Sequence, residues 1–280
     1  MADPTALDKL KRVVMIWCKM MSNIRMRDRT LKTLQYGCQM LLGFYGSQLS
    51  FMARNQMKAL QYSASTSRKA FWLLKSIDQM GSAMTMFEEG YWQENSTMSQ
   101  RLDLIEQFFL IWYFWCETLV FFARAKMFNL REHSLDYWCN WSWLGGDIAF
   151  FTARLLELRD NVMDRKLIGS QIEEGDSNSN SNINGVVELN TLKNELTRLE
   201  NKTPRMQREF IIGFLELAVS LQYSGFYRFI TAGKSLPESY VGAIGVASSA
   251  MIMYNGCCDA AELTDEDTEE GRKAEAKKDD

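Results

Sequence analysis

The chain is poor in residues that interrupt helices and in residues that build metal or redox sites. It has three Pro among 280 residues and a single His, His133, which lies in a charged stretch. Because proline locks the backbone and removes a hydrogen-bond donor, its scarcity favours long unbroken helices. The six Cys are scattered without a C-x-x-C pair, which indicates neither a zinc site nor a disulfide framework. We therefore expect no metal site and no cofactor.

Motifs for nucleotide or hydrolytic chemistry are absent as well. The sequence contains no P-loop, no G-x-G-x-x-G and no H-E-x-x-H. Glu117 and Glu216 are the two carboxyl groups in strongly apolar surroundings. They would suit a polar path, but a hydrogen-bonded core position or one facing headgroups is the simpler interpretation. We expect that the protein is not an enzyme.

Charge is unevenly distributed along a chain whose net charge is only -3. Residues 1–75 hold 13 Lys or Arg against three Asp, whereas residues 259–280 hold ten acidic residues against four basic ones. A basic first third rich in aromatic side chains predicts an anionic partner, either lipid headgroups or nucleic acid. The mean hydropathy of -0.24 argues against a transporter built of many membrane spans.

Several segments show the periodicity of helices. On one side of a first helix, apolar residues recur at steps of three and four: Leu7, Leu10, Val14, Trp17, Met21 and Ile24. A second helix has a similar stripe through Leu31, Leu34 and Leu41. The two helices are predicted to form a hairpin that buries both stripes in a core.

The stretch from Arg68 to Phe87 has an amphipathic pattern suited to a membrane surface. Its apolar face carries Ala70, Leu73, Leu74, Ile77, Met80, Met84 and Phe87. Basic residues beside such a face suit a helix in the headgroup plane, where each cation contributes about 1 kcal/mol with anionic lipid. The predicted membrane-binding residues are Arg68, Lys69, Phe71, Trp72, Leu73, Leu74, Lys75, Ile77, Met80 and Met84. An ordinary packed helix with a solvated basic face has the same pattern.

Two further segments are apolar enough to enter a membrane. Phe108 to Ala123 is densely aromatic, but its 16 residues span only about 24 Å as a helix. It is therefore borderline, and an interfacial, re-entrant or core helix is favoured. Tyr240 to Cys258 runs 19 residues without a charge and is the predicted membrane span. Its small residues are predicted to associate with another helix, in a second copy or in the same chain: Gly242, Ala243, Gly245, Ala247 and Ser249.

These segments divide the chain into four regions. Residues 1–170 form an N-terminal helical region with the amphipathic helix and the aromatic segment. Residues 171–187 form a disordered polar loop, residues 188–258 a C-terminal helical region with the span, and residues 259–280 an acidic disordered tail. The predicted fold class is all-α, a membrane-associated helical bundle with amphipathic helices and a C-terminal hydrophobic span.

Four sequence elements resemble the peroxin eleven family, and they occur in the family's order. They are Arg27-Asp28-Arg29-Thr30-Leu31-Lys32-Thr33-Leu34-Gln35-Tyr36-Gly37, Ser67-Arg68-Lys69-Ala70-Phe71, Leu135-Asp136-Tyr137-Trp138, and Gly242-x-x-Gly245-x-x-Ser248-Ser249. The chain departs from the family pattern at three places. Met26 replaces the usual Gly, Phe71-Trp72 stands where another Arg is frequent, and Glu216 falls where the C-terminal helix usually carries Asp.

The resemblance implies a protein of the peroxisomal membrane, or of a related organelle such as the glycosome, with both termini in the cytosol. It implies self-association, and an amphipathic helix from Arg68 to Phe87 that curves and elongates the membrane before fission. The implied partners are anionic lipids, further copies of the chain and dynamin-type fission machinery, but no nucleic acid.

Two alternatives to membrane remodelling remain open. One is a pore or solute-conducting peroxisomal membrane protein, which would need Glu117 or Glu216 to face water inside a bundle. The other is a soluble helical scaffold whose basic third contacts nucleic acid, which would need the stretch from Tyr240 to Cys258 to be buried in protein.

Overall fold

A computed structural model describes the backbone of residues 6–73, 75–178 and 183–276, and the side chains of residues 9–73, 75–174 and 189–261. All the regular elements in these ranges are helices: α1 (Ala6–Ser22), α2 (Ile24–Tyr45), α3 (Phe51–Phe71), α4 (Lys75–Glu88), α5 (Met98–Arg124), α6 (Glu132–Asn178), α7 (Ile183–Tyr223), α8 (Phe226–Ile230) and α9 (Glu238–Ala276). The predicted all-α fold class is confirmed.

Short polar residues fix the points at which several helices begin. The side chain of Asn23 accepts a hydrogen bond from the backbone N–H of Arg25 at the start of α2 (2.9 Å). Ser50 caps α3 in the same way, and Thr97 and Gln100 form a reciprocal capping box at the start of α5. Each cap satisfies a backbone donor that has no partner within the helix.

The helices form two units. One contains α1, α2, α3 and α9, and the other contains α4 to α8. In the first unit α2 packs against both α3 and α9, while in the second α6 packs against both α5 and α7, and α4 packs against α5.

The predicted loop and tail coincide with helical backbone along much of their length. The loop at residues 171–187 covers the end of α6 and the start of α7, and residues 179–182 between them lie outside the described part. The backbone of α9 continues to Ala276, through most of the predicted tail at residues 259–280. The division of the chain into four regions therefore remains a prediction.

The first unit buries several polar side chains and exposes several large apolar ones. Asp28, Lys32 and Gln39 of α2 are buried, and so are Ser248 and Ser249 of α9. Large apolar side chains of the same helices are exposed: Leu34, Leu41, Phe44, Tyr240 and Tyr254. In water this arrangement forgoes the hydrophobic driving force, whereas among lipid tails polar groups are best satisfied inside the protein. The distribution is therefore the one expected of helices surrounded by lipid.

Close approach between α2 and α9 depends on two glycines. A Cβ atom added at Gly242 would lie 2.5 Å from the backbone nitrogen of Met40, and one added at Gly245 would lie 2.5 Å from the ring of Tyr36. Since real Cβ contacts are longer than this, glycine is required at both positions. Small residues at helix contacts are typical of proteins in lipid, where van der Waals packing drives association.

Two helices of the described part are long and apolar enough to cross a membrane: Met98–Arg124 and Glu238–Ala261. The second contains the predicted C-terminal span. The first extends the borderline aromatic segment to 27 residues, about 40 Å as a helix, which is long enough for a hydrocarbon core of about 30 Å. Only 33% and 28% of their apolar windows are buried, so most of each surface remains available to lipid.

The predicted burial of the α1 stripe is wrong. Leu10, Val14 and Trp17 are at least half exposed, at 60%, 52% and 50%. α1 instead packs on α9 through a different side, on which Met20 is buried and its sulfur lies 3.2 Å from the sulfur of Cys257. Of the predicted stripe, Leu10, Val14 and Trp17 point away from the protein, whereas Met21 packs against the cluster that contains Met20.

Candidate membrane-binding site

α4 turns its large apolar side chains outward and packs against α5 with small and polar side chains. Four large apolar side chains form an exposed row along the helix, which we call the α4 stripe: Ile77 (59% exposed), Met80 (48%), Met84 (64%) and Phe87 (47%). Ser76, Gln79 and Ala83 are buried on the side that packs against α5. A surface helix of a protein in water buries its apolar side, so this helix is oriented for an apolar environment.

The predicted continuous helix from Arg68 to Phe87 is not observed. α3 ends at Phe71, Trp72 is its C-cap residue, and α4 begins at Lys75. No proline or glycine lies between the two helices, so local propensity alone does not explain the end of α3. Arg68 and Trp72, at the end of α3, have tertiary contacts with α2.

Arg68 and Trp72 are bound to α2 by a cluster of hydrogen bonds, which we call the Asp28 cluster. One carboxylate oxygen of Asp28 accepts from Nε of Arg68 (2.8 Å) and from the indole N–H of Trp72 (2.7 Å). The guanidinium of Arg68 also donates to the amide oxygen of Gln35 (2.9 Å). Asp28 and Trp72 are buried. These predicted membrane-binding residues therefore contact the protein in this conformation.

The other predicted membrane-binding residues are placed in three ways. Lys69 is buried, and Phe71 and Leu73 are half-buried. Lys75 pairs with Asp78 across one helical turn (3.0 Å). Leu74 lies outside the described residues. The structure therefore brings Ile77, Met80 and Met84 together on one exposed face of α4, whereas Arg68 and Lys69 belong to α3.

The five small residues of α9 lie on two different sides of the helix. Gly242, Gly245 and Ser249 are buried, and the two glycines pack against α2 in the same chain. Ala243 is half-buried and Ala247 is exposed. Ala247 belongs to a row with helical spacing, which we call the α9 outer face: Tyr240, Ala243, Ala247, Ala250 and Tyr254.

α1 has an exposed apolar face that was assigned to a core in the sequence. Exposed Val13 and Trp17 lie on this face, and Lys11 and Arg12 nearby are exposed as well. Apolar and basic residues together suit anionic headgroups. The signal was present in the sequence, but a buried stripe and an exposed one have the same periodicity.

A cluster of charges joins three helices of the second unit. Arg154 of α6 pairs with Asp103 of α5 and with Glu157 of α6, and Glu209 of α7 lies 3.8 Å away. Ser99 of α5 donates a hydrogen bond to Glu157 (2.9 Å). The guanidinium of Arg154 therefore lies within ion-pair distance of three carboxylates that are far apart in sequence. No sequence pattern identified this Arg154 cluster.

Burial affects the carboxyl group of Glu157. Desolvation raises its pKa, and the guanidinium of Arg154 and the hydroxyl of Ser99 offset part of that rise. A carboxyl with a raised pKa holds its proton more tightly in the folded state than in the unfolded state. Its contribution to stability is therefore greatest at low pH and is lost as the pH rises through the raised pKa.

Glu117 and Glu216 are both buried in the second unit. Glu117 accepts hydrogen bonds from the hydroxyl of Tyr113 (3.1 Å) and from the thiol of Cys139 (3.4 Å). This is the geometry of a packed contact between α5 and α6, so the pore alternative remains a prediction without a specific observation in its favour. Among the described residues, no three His, Cys, Asp or Glu are grouped as metal ligands.

The family model described as Peroxisomal biogenesis factor 11 matches residues 14–256, most of the chain, which confirms the resemblance to the peroxin eleven family. No curated protein and no solved structure gives a match. The chain belongs to the peroxisomal biogenesis factor 11 family, which gives it a role in peroxisome biogenesis and an association with the peroxisome.

Proposed function

We propose that this protein elongates and curves the peroxisomal membrane by inserting the α4 stripe into its cytosolic leaflet, and that it thereby promotes peroxisome proliferation and fission. The orientation of α4 carries the proposal, since Ile77 and Met84 are exposed while Ser76 and Gln79 are buried. α5 and α9 are the membrane anchors that hold the stripe at the surface.

Curvature follows from inserting side chains into one leaflet only. The four side chains of the α4 stripe are each about half exposed, so moving each of them from water into the acyl boundary contributes roughly 1 kcal/mol. The inserted volume expands the outer leaflet against the inner one, and bending relieves this mismatch. Basic residues of α1, such as Lys11 and Arg12, add attraction to anionic lipid that weakens as salt increases.

Replacing Ile77 and Met84 together with glutamate is expected to reduce membrane tubulation about tenfold. Two carboxylates within the α4 stripe cannot enter the acyl boundary without a large desolvation cost. The measurement is tubule formation by the full chain reconstituted in vesicles of phosphatidylcholine and phosphatidylserine, followed by electron microscopy.

The matched control introduces two glutamates on the exposed polar side of the same helix, at Ser82 and Thr85. This variant adds the same charge to α4 but leaves the α4 stripe intact, so its tubulation is expected to stay within about twofold of the native chain. Equal tubulation by the Ile77→Glu/Met84→Glu variant and the native chain would show that α4 does not act as a wedge.

Self-association is the second part of the proposed mechanism. Gly242 and Gly245 already pack against α2, which leaves the α9 outer face for contact with a second copy. The face has small residues at its centre, Ala243, Ala247 and Ala250, with a tyrosine at each end. Small residues let two helices approach closely in lipid. Oligomers would concentrate several α4 stripes on one patch of membrane.

Replacing Ala247 with leucine is expected to weaken self-association at least about fivefold, because a bulky side chain separates helices that meet at small residues. Chemical cross-linking of the reconstituted chain measures the effect. Ala247→Ser keeps the side chain small and serves as the control. Equal cross-linking of the Ala247→Leu variant and the native chain would place the contact on another surface.

The same mechanism requires both termini on the cytosolic side and recruitment of dynamin-type fission machinery to the elongated membrane. The resemblance to the peroxin eleven family supports both. Protease treatment of intact organelles that carry the chain with a tag at each end tests the orientation, since cytosolic tags are removed and lumenal tags are protected.

A further inference from the structure

Asp28 holds two donors that the sequence predicted to meet lipid. Its carboxylate is buried, and a single oxygen accepts from the guanidinium of Arg68 and from the indole N–H of Trp72, residues that lie 40 and 44 positions away. Gln35 accepts a further hydrogen bond from the same guanidinium. The end of α3 is thereby bound to α2.

This pair of donors also suits a phosphodiester. A guanidinium presents planar N–H groups that match the oxygens of a phosphate, and its charge-assisted hydrogen bonds are about twice as strong as neutral ones. An indole N–H beside an apolar ring is typical of side chains at the level of the headgroups. The carboxylate of Asp28 presents to Arg68 and Trp72 the same kind of anionic oxygen as a headgroup phosphate.

We infer that Asp28 is an internal competitor for lipid phosphate at Arg68 and Trp72. In the closed state that the structure shows, the carboxylate occupies both donors and keeps the end of α3 away from lipid. In the open state a phosphodiester headgroup replaces the carboxylate, and the indole of Trp72 enters the headgroup layer. The inference rests on the proposed function and adds regulation of the predicted membrane-binding residues.

The different exposures of Arg68 and Asp28 make the exchange depend on anionic lipid. The side chain of Arg68 is 17% exposed, so a headgroup can reach it from the surface, whereas the side chain of Asp28 is 3% exposed and bonded. Opening the pair costs free energy, since each charge must find a new partner. The open fraction is therefore small without anionic lipid, and the apparent affinity for lipid is reduced by that fraction.

Replacing Asp28 with asparagine tests the inference. The amide keeps the shape of the side chain and an acceptor oxygen but removes the charge, which leaves the Arg68 guanidinium without its full counter-charge and favours the open state. The readout is the quenching of tryptophan fluorescence by brominated acyl chains. The part due to Trp72 is the quenching that disappears when the same protein also carries Trp72→Phe. In vesicles containing phosphatidylserine, Asp28→Asn is expected to increase this quenching at least about threefold.

Three further variants make the result specific. Asp160→Asn removes one negative charge from an exposed pair on α6, and no change in Trp72 quenching is expected from it. Arg68→Gln in the Asp28→Asn background removes the phosphate donor, and the gain should disappear. Gln35→Leu loosens Arg68 while Asp28 stays in place, and a smaller gain of the same sign is expected. If Asp28→Asn lowers the melting temperature so much that the protein does not stay folded, Gln35→Leu still tests the inference.

The outcomes separate a lipid headgroup from soluble phosphate and separate this inference from the proposed function. Loss of the gain in Trp72 quenching when inorganic phosphate is added at constant ionic strength to the vesicles containing phosphatidylserine would show that the two donors take soluble phosphate, and it would overturn the assignment to lipid. Unchanged quenching in Asp28→Asn and in Gln35→Leu would overturn the competition itself. The proposed function is judged separately, by whether glutamates at Ile77 and Met84 abolish tubulation.

Discussion

Replacing Gly242 with alanine is expected to lower the free energy of unfolding of the first unit by about 2 kcal/mol. The added Cβ would lie 2.5 Å from the backbone nitrogen of Met40 and 2.9 Å from the backbone oxygen of Tyr36. Backbone atoms inside a helix cannot move aside as a flexible side chain can, so α9 must shift along its contact with α2. Alanine is the better helix former by up to about 1 kcal/mol, but this gain does not offset the clash.

Gly37→Ala is a control for which a change in stability of the opposite sign is expected. Gly37 lies in α2, and an added Cβ there would meet nothing within 4 Å. Gly37→Ala should therefore stabilise the protein by about 0.5 to 1 kcal/mol through helix propensity alone. Unfolding of the full chain in detergent micelles measures both variants, and proteolysis identifies whether α9 is released. A destabilisation by Gly37→Ala as large as that by Gly242→Ala would contradict the role given to close helix packing.

The positions of helices were predictable because they depend on local sequence. Three prolines in 280 residues and apolar steps of three and four residues indicate helices, and all the regular elements of the described residues are helices, which confirms the all-α fold class. The glycines at 242 and 245, predicted to lie at a helix contact, pack against α2. The identity of the partner helix was not predictable, since a small face packs equally well on the same chain or on a second copy.

Periodicity did not show whether the apolar face of each helix contacts protein or lipid. The stripe through Leu10, Val14 and Trp17 was assigned to a core, yet it is exposed, and the α4 stripe is exposed as well. A pattern shows only that apolar residues share one side of a helix. Whether that side meets protein or lipid depends on the solvent, which the sequence of one helix does not specify.

Long-range polar contacts were the least predictable feature of the site. The periodic pattern continues from Arg68 to Phe87, but α3 ends at Phe71, and Asp28, 44 residues before Trp72, binds the indole of that C-cap residue. A single sequence does not pair residues over such distances. The contact between Asp28 and the end of α3 was therefore apparent only from the three-dimensional structure.

Replacing Arg154 with leucine is expected to lower the free energy of unfolding of the second unit by about 3 kcal/mol. The guanidinium pairs with Asp103 and Glu157 and lies 3.8 Å from Glu209, so its loss leaves three carboxylates from three helices without their shared cation. Their repulsion and desolvation then oppose the packing of α6 against α5 and α7. Arg159→Leu is the matched control, because Arg159 is exposed and pairs with its neighbour Asp160.

The loss should become smaller as the pH falls. Burial already raises the pKa of Glu157, and removing the cation that offsets part of this rise raises that pKa further. Protonation of Glu157 then removes one negative charge from the cluster, so the folded variant gains stability as the pH drops through the raised pKa. Unfolding in detergent at a series of pH values measures the difference between native chain and variant. A difference that stays constant or grows toward low pH would show that Arg154 stabilises the second unit by packing of its side chain rather than by charge.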